Sequence, residues 1–144
     1  MSVRRYLPVI VRTLLGALFV VSGANKLFGF MPMPPMPASA TSFLGALAAT
    51  GYFLPLLGMT EVAAGLLLIV GRFVPLALVV LAPIVVNIAF FHVILAPNLG
   101  SVVMILGAQL YLAWVYRDAF AGVLASRVSG DATAATVRRT AVVA

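Results

Sequence analysis

One glutamate, one lysine and one histidine stand out in a long run of apolar sequence: Glu61, Lys26 and His92. With Arg12, Ser22, Asn25, Asn87 and Gln109 they are the polar groups of its hydrophobic stretches. Such groups are costly in hydrocarbon and usually face a bundle interior, so they are the first place to look for chemistry. A carboxyl removed from water can take up a proton, which makes Glu61 the candidate proton acceptor. Lys26 is its nearest counter-charge, and His92 could relay protons or hydrogen-bond a carbonyl. Against this stands a purely structural reading, in which the Glu61–Lys26 pair only fixes helix register. A single Glu and a single His fall short of a zinc or iron site, which usually takes three or more protein ligands. One histidine also excludes a bis-histidine haem, and no Ser/His/Asp set is placed for hydrolysis. The chain has no cysteine. Disulfides, thiolate catalysis and CxxC redox chemistry are thereby excluded, and no covalently bound cofactor is expected.

The elements that must position these groups follow from composition. Of 144 residues, 64% are hydrophobic and 8% charged, whereas a soluble domain carries about a quarter charged residues. Too little polar surface remains to coat a water-soluble globule, so lipid is the expected surrounding. Four apolar stretches are each near the length that crosses a bilayer: Pro8 to Phe28, Leu54 to Val70, Phe73 to Leu95 and Leu99 to Tyr116. The expected fold is all-α, a transmembrane four-helix bundle over residues 8–117. Residues 1–7 precede it, and a small-residue-rich tail, 118–144, is expected to be disordered.

Charge sets the orientation. Arg4, Arg5 and Arg12 open the first span, Arg72 lies between the second and third, and Arg117, Arg127, Arg138 and Arg139 follow the fourth. The Gly29–Phe53 and Ala96–Gly100 connections carry no charge. The positive-inside rule then predicts a multi-pass cell-membrane protein with both termini cytoplasmic. The net charge of +6 is spread along the chain, unlike a nucleic-acid face, and no nucleic-acid partner is expected. Arg4-Arg5 and the following apolar run imitate a signal peptide, but Arg12 interrupts that run, and removing it would break the charge pattern. In the first outer connection, FMPMPPMP (Phe30 to Pro37) forbids a regular helix. Its thioethers could suit copper(I), but with no His or Cys nearby a stiff connector is the better reading. Thr41 to Thr50 then predicts a short interfacial helix.

Helical geometry sorts the polar groups by depth and face. Asn25, Lys26, Glu61, Asn87, His92 and Gln109 fall in the outer half, with Glu61 roughly 10 Å below Leu54 and Gln109 roughly 15 Å below Leu99. Arg12 alone belongs to the inner half and should snorkel to the cytoplasmic interface. Arg12, Phe19, Ser22 and Lys26 share one stripe, and Gly58, Glu61, Gly65 and Leu68 share another, where glycines permit close approach. Asn87 and His92 are about 140° apart, so both cannot face the axis of a regular helix. Asn87 and Gln109 read as helix–helix hydrogen-bonding groups rather than ligands.

The order LFVVSGANKL (Leu18 to Leu27), a charge-free outer segment, EVAAGLLLIVGR (Glu61 to Arg72) and Phe91-His92 resembles the DoxX/DoxD family of small four-helix membrane proteins. The resemblance runs from Pro8 to Tyr116. It implies that Arg12, Lys26, Glu61 and His92 match the family's polar positions, around a quinone-like head group or the dock of a redox partner protein. DoxD members are subunits of a thiosulfate:quinone oxidoreductase, and DoxX relatives are associated with redox and oxidative-stress systems. The long proline-rich outer loop departs from shorter family versions. Fold-level analogy does not assign an activity by itself. The leading expectation is a redox-associated, quinone-interacting subunit without its own redox centre. A membrane scaffold whose polar residues fix packing comes second. A small-solute or proton transporter comes third, because four short spans enclose little volume unless a homo-oligomer forms.

Overall fold

The computed structural model describes residues 3–121, with side chains from Tyr6 onward. Most of the predicted tail, including Arg127, Arg138 and Arg139, lies outside the described residues. Five α-helices follow one another: α1 (Val3–Phe28), α2 (Ala38–Ala49), α3 (Phe53–Val70), α4 (Val74–Phe90) and α5 (Leu99–Val115). A π-helical turn, Phe91–Leu95, extends α4, and a 3₁₀ turn, Arg117–Phe120, follows α5. Three helical stretches are long and apolar enough to cross a membrane: Tyr6–Phe28, Phe53–Val70 and Val74–Leu95. Their mean hydropathies are 1.9, 2.1 and 2.6. α5 is equally apolar in character but has 17 residues.

Chain punctuation explains the boundaries. α3 stops at Gly71, whose φ of 77° is the left-handed conformation a side chain disfavours. Phe73 adopts φ 54° to complete the tight turn, and Pro75 then sits in the first turn of α4, where its missing N–H costs nothing. Asn98 caps α5, its Oδ1 accepting the Ser101 N–H at 3.2 Å. The short second helix starts at Ala38, three residues before the Thr41 expected, directly after Pro37. The prolines end at that point, so nothing prevents Ala38, Ser39 and Ala40 from joining the helix. Ala40 is fully buried, and the Ser39 hydroxyl donates to the Leu95 carbonyl at 3.4 Å, which ties α2 to the π-turn.

α1 packs against α3 and α5, and α4 packs against α3 and α5, so these four helices surround one core. Its centre is Phe19 on α1, Leu68 on α3, Leu78, Leu81 and Val85 on α4, and Leu112 on α5. Large side chains such as Leu14, Leu66, Leu76, Val103 and Leu110 face outward, as expected where lipid is the solvent.

The α1–α3 contact is the tightest. Gly16 meets Gly65 and Gly23 meets Gly58, and each pair is reciprocal. A Cβ built on Gly16 would lie 2.6 Å from the Gly65 carbonyl oxygen, and one on Gly65 would lie 2.7 Å from that of Gly16. The corresponding distances for Gly23 and Gly58 are 2.5 and 2.7 Å. The two backbones therefore touch at two levels seven residues apart, and the helices run antiparallel. Neither helix can retreat from an added methyl without opening this seam.

Gly58→Ala should destabilise the fold by about 1–3 kcal/mol, the usual cost of overpacking. Gly107→Ala, where an added Cβ meets nothing within 4 Å, should be neutral or stabilising by up to about 1 kcal/mol. Thermal unfolding of the purified variants in detergent would show the two opposite shifts.

Candidate functional site

Across the Gly23–Gly58 contact, the two helices bring their charges together. Lys26 lies three residues after Gly23, and Glu61 three residues after Gly58. Each glycine packs against the stem of the opposing charged residue. A Cβ on Gly23 would be 3.0 Å from the Glu61 Cβ, and one on Gly58 would be 3.2 Å from the Lys26 Cβ. The missing side chains thus make the space that the ion pair occupies. Lys26 Nζ donates to Glu61 Oε2 at 2.7 Å and to Ser22 Oγ, one turn back on α1, at 2.8 Å.

The two partners differ in access. The Glu61 side chain is 1% exposed and that of Lys26 24%. Glu61 Oε1 is buried and has no hydrogen-bond partner. An ammonium carries three donors, and the two contacts above use two of them. The pair therefore keeps one unassigned N–H on a partly exposed lysine side chain, backed by a carboxylate with one unused oxygen.

The other expected site residues are placed elsewhere. Arg12 lies at the opposite end of the α1–α3 seam, where a Cβ on Gly71 would overlap its guanidinium. A cation against the last turn of α3 complements the negative end of that helix dipole. Arg12 Nε is buried there without a partner. Asn25 turns towards the following loop, and its Oδ1 accepts the Met31 N–H at 2.7 Å. Gln109 is buried and donates from Nε2 to the Leu78 carbonyl at 2.7 Å, joining α5 to α4.

His92 engages its own helix. In the π-turn, the Ala96 N–H reaches back five residues to the Phe91 carbonyl at 2.9 Å. His92 Nδ1 is 2.9 Å from the Ile88 carbonyl. A carbonyl can only accept, so Nδ1 carries the proton and Nε2 keeps its lone pair in the neutral ring. Asn87 is exposed, and it lines a shallow groove with Phe43, Phe90, Phe91, Ile94 and Leu95. Within one chain it therefore joins no other helix, contrary to the hydrogen-bonding role its position suggested. The two do not share a face, in keeping with their separation of about 140°: His92 is half-buried and Asn87 is exposed.

These placements carry the residue pattern of a known family, and a family model for DoxX matches residues 7–94. The chain belongs to the DoxX family. Three apolar helices of spanning length, together with that membership, make it a membrane protein. The match takes in Arg12, Lys26, Glu61, Asn87 and His92, and it ends before α5 and Gln109. No curated protein and no solved structure matches this DoxX chain.

Gly58 and Gly65 were read as a close-approach face, but their partners on α1 were not matched to them. Gly23–x–x–Lys26 and Gly58–x–x–Glu61 share one spacing. In an antiparallel pair this sets the two residues on opposite sides of the glycine contact, and the Lys26 side chain reaches back past Gly23 to meet Ser22 and Glu61. Gly16 was the other missed partner, although it stands seven residues before Gly23 as Gly58 stands before Gly65.

Removing Lys26 alone strands a buried carboxylate. Lys26→Met should cost about 3–5 kcal/mol, whereas the Lys26→Met/Glu61→Gln double variant should recover most of that loss. Chemical denaturation in detergent micelles checks the order. Gln109→Leu should cost only about 0.6 kcal/mol, the average for an interhelical hydrogen bond in a membrane protein, and the same unfolding assay measures it.

Proposed function

We propose that this DoxX protein is a four-span bundle with both termini in the cytoplasm, acting as a quinone-interacting subunit of a redox partnership. The observation that carries the reading is the Lys26–Glu61 pair, with its accessible ammonium and its half-used buried carboxylate. The orientation rests on where the arginines fall. Arg12 packs against the α3–α4 turn that holds Arg72, and Arg117 follows α5. With that orientation Lys26 and the α4–α5 connection would lie towards the outer surface, and Glu61, midway along α3, in the outer half.

A quinone head group suits this chemistry because its carbonyl oxygens accept hydrogen bonds while its ring is at home in lipid. Lys26 would hold one carbonyl through its third N–H, strengthened by charge. Glu61, 2.7 Å from the ammonium, would balance that charge and hold or release a proton. A quinone taking up two electrons also takes up two protons. The electrons would come from a redox partner protein, since the chain has no cysteine and the described residues hold no set of metal ligands.

A second reading has its own support. The ion pair bridges the Gly23–Gly58 contact and belongs to the same seam, so it also suits a scaffold whose charges only align α1 with α3.

Binding of a ubiquinone or menaquinone analogue to detergent-purified protein separates the two. Saturable binding that Lys26→Met weakens roughly ten- to hundredfold, as loss of a charged hydrogen bond would, supports the quinone reading. Glu61→Gln should weaken it less. An absence of binding by correctly folded wild-type protein would leave the scaffold.

A further inference from the structure

One outward face of α4 carries a single amide among apolar side chains. Leu76, Val80, Pro83, Asn87, Phe90 and Ile94 are all exposed. Their spacings alternate between four and three residues, which is the a/d repeat of a helix that packs against another helix. In that repeat Leu76, Pro83 and Phe90 take d positions, and Val80, Asn87 and Ile94 take a positions. A single asparagine at an a position is the residue that fixes register and two-strandedness in parallel helix pairs.

The amide makes the argument specific. Asn87 lies eight residues before Leu95, or roughly 12 Å along the helix from that end of the Val74–Leu95 stretch. It is therefore within the hydrocarbon depth, where an unpaired amide is costly. Gln109, at similar depth, is buried and bonded to α4. Asn87 instead is exposed. The described surface grooves also run beside this face. One is bordered by Asn87, Phe90 and Ile94 and floored by Phe43, Phe91 and Leu95. The other is bordered by Val80 and Pro83, with Phe53, Leu56, Leu57, Thr60 and Ile84. Together they leave room for side chains from a helix laid along the stripe.

We propose that this face of α4 is a homodimer interface in which α4 packs in parallel on α4 of a second copy and Asn87 hydrogen-bonds Asn87 of that copy. Copies inserted with the same orientation are related by a two-fold axis along the membrane normal. That symmetry places every residue of α4 at the same depth as its counterpart. A primary amide has both a donor and an acceptor, so two facing amides satisfy each other. An apolar partner would leave the amide unpaired, and a charged partner would bring an uncompensated charge into lipid. A second copy needs neither.

The chain's lack of cysteine gives a clean test. Val80→Cys, Phe90→Cys and Ile94→Cys are compared with Val103→Cys and Leu110→Cys, exposed positions on α5. Each is oxidised in liposomes with a membrane-permeant oxidant. The stripe positions should yield disulfide-linked dimers well above the α5 positions. Energy transfer between labelled copies in the same liposomes should show that Asn87→Leu weakens association roughly three- to thirtyfold. Because Asn87 is exposed, its thermal unfolding in detergent should not change. Equal cross-linking at the stripe and on α5, or unchanged association of Asn87→Leu, would overturn the proposal. So would cross-linking of the stripe, in cell membranes, to a product of another mass, which would assign the face to a different protein.

Discussion

Apolar side chains gain nothing by leaving lipid for the surface of a neighbouring helix, so a membrane bundle needs some other reason to close. In this protein the reason is backbone contact between α1 and α3. Gly16, Gly23, Gly58 and Gly65 bring the carbonyl oxygens of one helix against the Cα atoms of the other at two levels. Dispersion and weak Cα–H···O contacts are short-ranged, and they count only because nothing intervenes. The remaining helices can then rely on ordinary side-chain packing around Phe19, Leu68, Leu81 and Leu112.

The same seam determines what the charged residues can do. At one end, across the Gly23–Gly58 contact, Lys26 and Glu61 approach to 2.7 Å because Gly23 and Gly58 leave space beside their stems. At its other end, Arg12 lies over the spot where Gly71 has no side chain. Each terminus of the seam is thus occupied by a cation, in one case paired with a carboxylate and in the other set against the end of a helix. Isolated charges in hydrocarbon would be far more costly. Setting them at the ends of a rigid contact keeps their geometry fixed without requiring a large polar core.

Much of this arrangement was legible in the sequence because it follows from periodicity. The apolar runs ending at Phe28, Val70 and Leu95 gave the helices, and the face shared by Gly58, Glu61 and Gly65 pointed to a close seam. The choice of Lys26 as partner for Glu61 needed only alternating helix direction. What could not be read was local backbone register. Nothing in FFHVIL announces a π-turn, which contacts α2 through the Ser39–Leu95 hydrogen bond. Asn87 was read as a helix–helix hydrogen-bonding group, and it is exposed on α4. The start of α2 differed for a simpler reason: Ala38, Ser39 and Ala40 are helix-compatible once the prolines end, and burial of Ala40 against its neighbours decides the matter.

Glu61 and Asn87 show two ways to carry a polar group through lipid, and the difference bears on function. Glu61 is covered entirely by its own chain and has its charge answered within 3 Å, so its state is coupled to whatever reaches Lys26. Asn87 is covered by nothing in its own chain, so its state is coupled to whatever lies outside. Gln109 is a third case: its Nε2 bonds the Leu78 carbonyl while its Oε1 is buried without a partner, with no accessible edge. By that comparison the groups worth attention are those left with unused hydrogen-bonding capacity at an accessible edge. Lys26 meets that condition where α1 meets α3, and Asn87 meets it on the far side of α4. The two are on different helices and need not answer to the same partner, so loss of one would leave the other's chemistry intact.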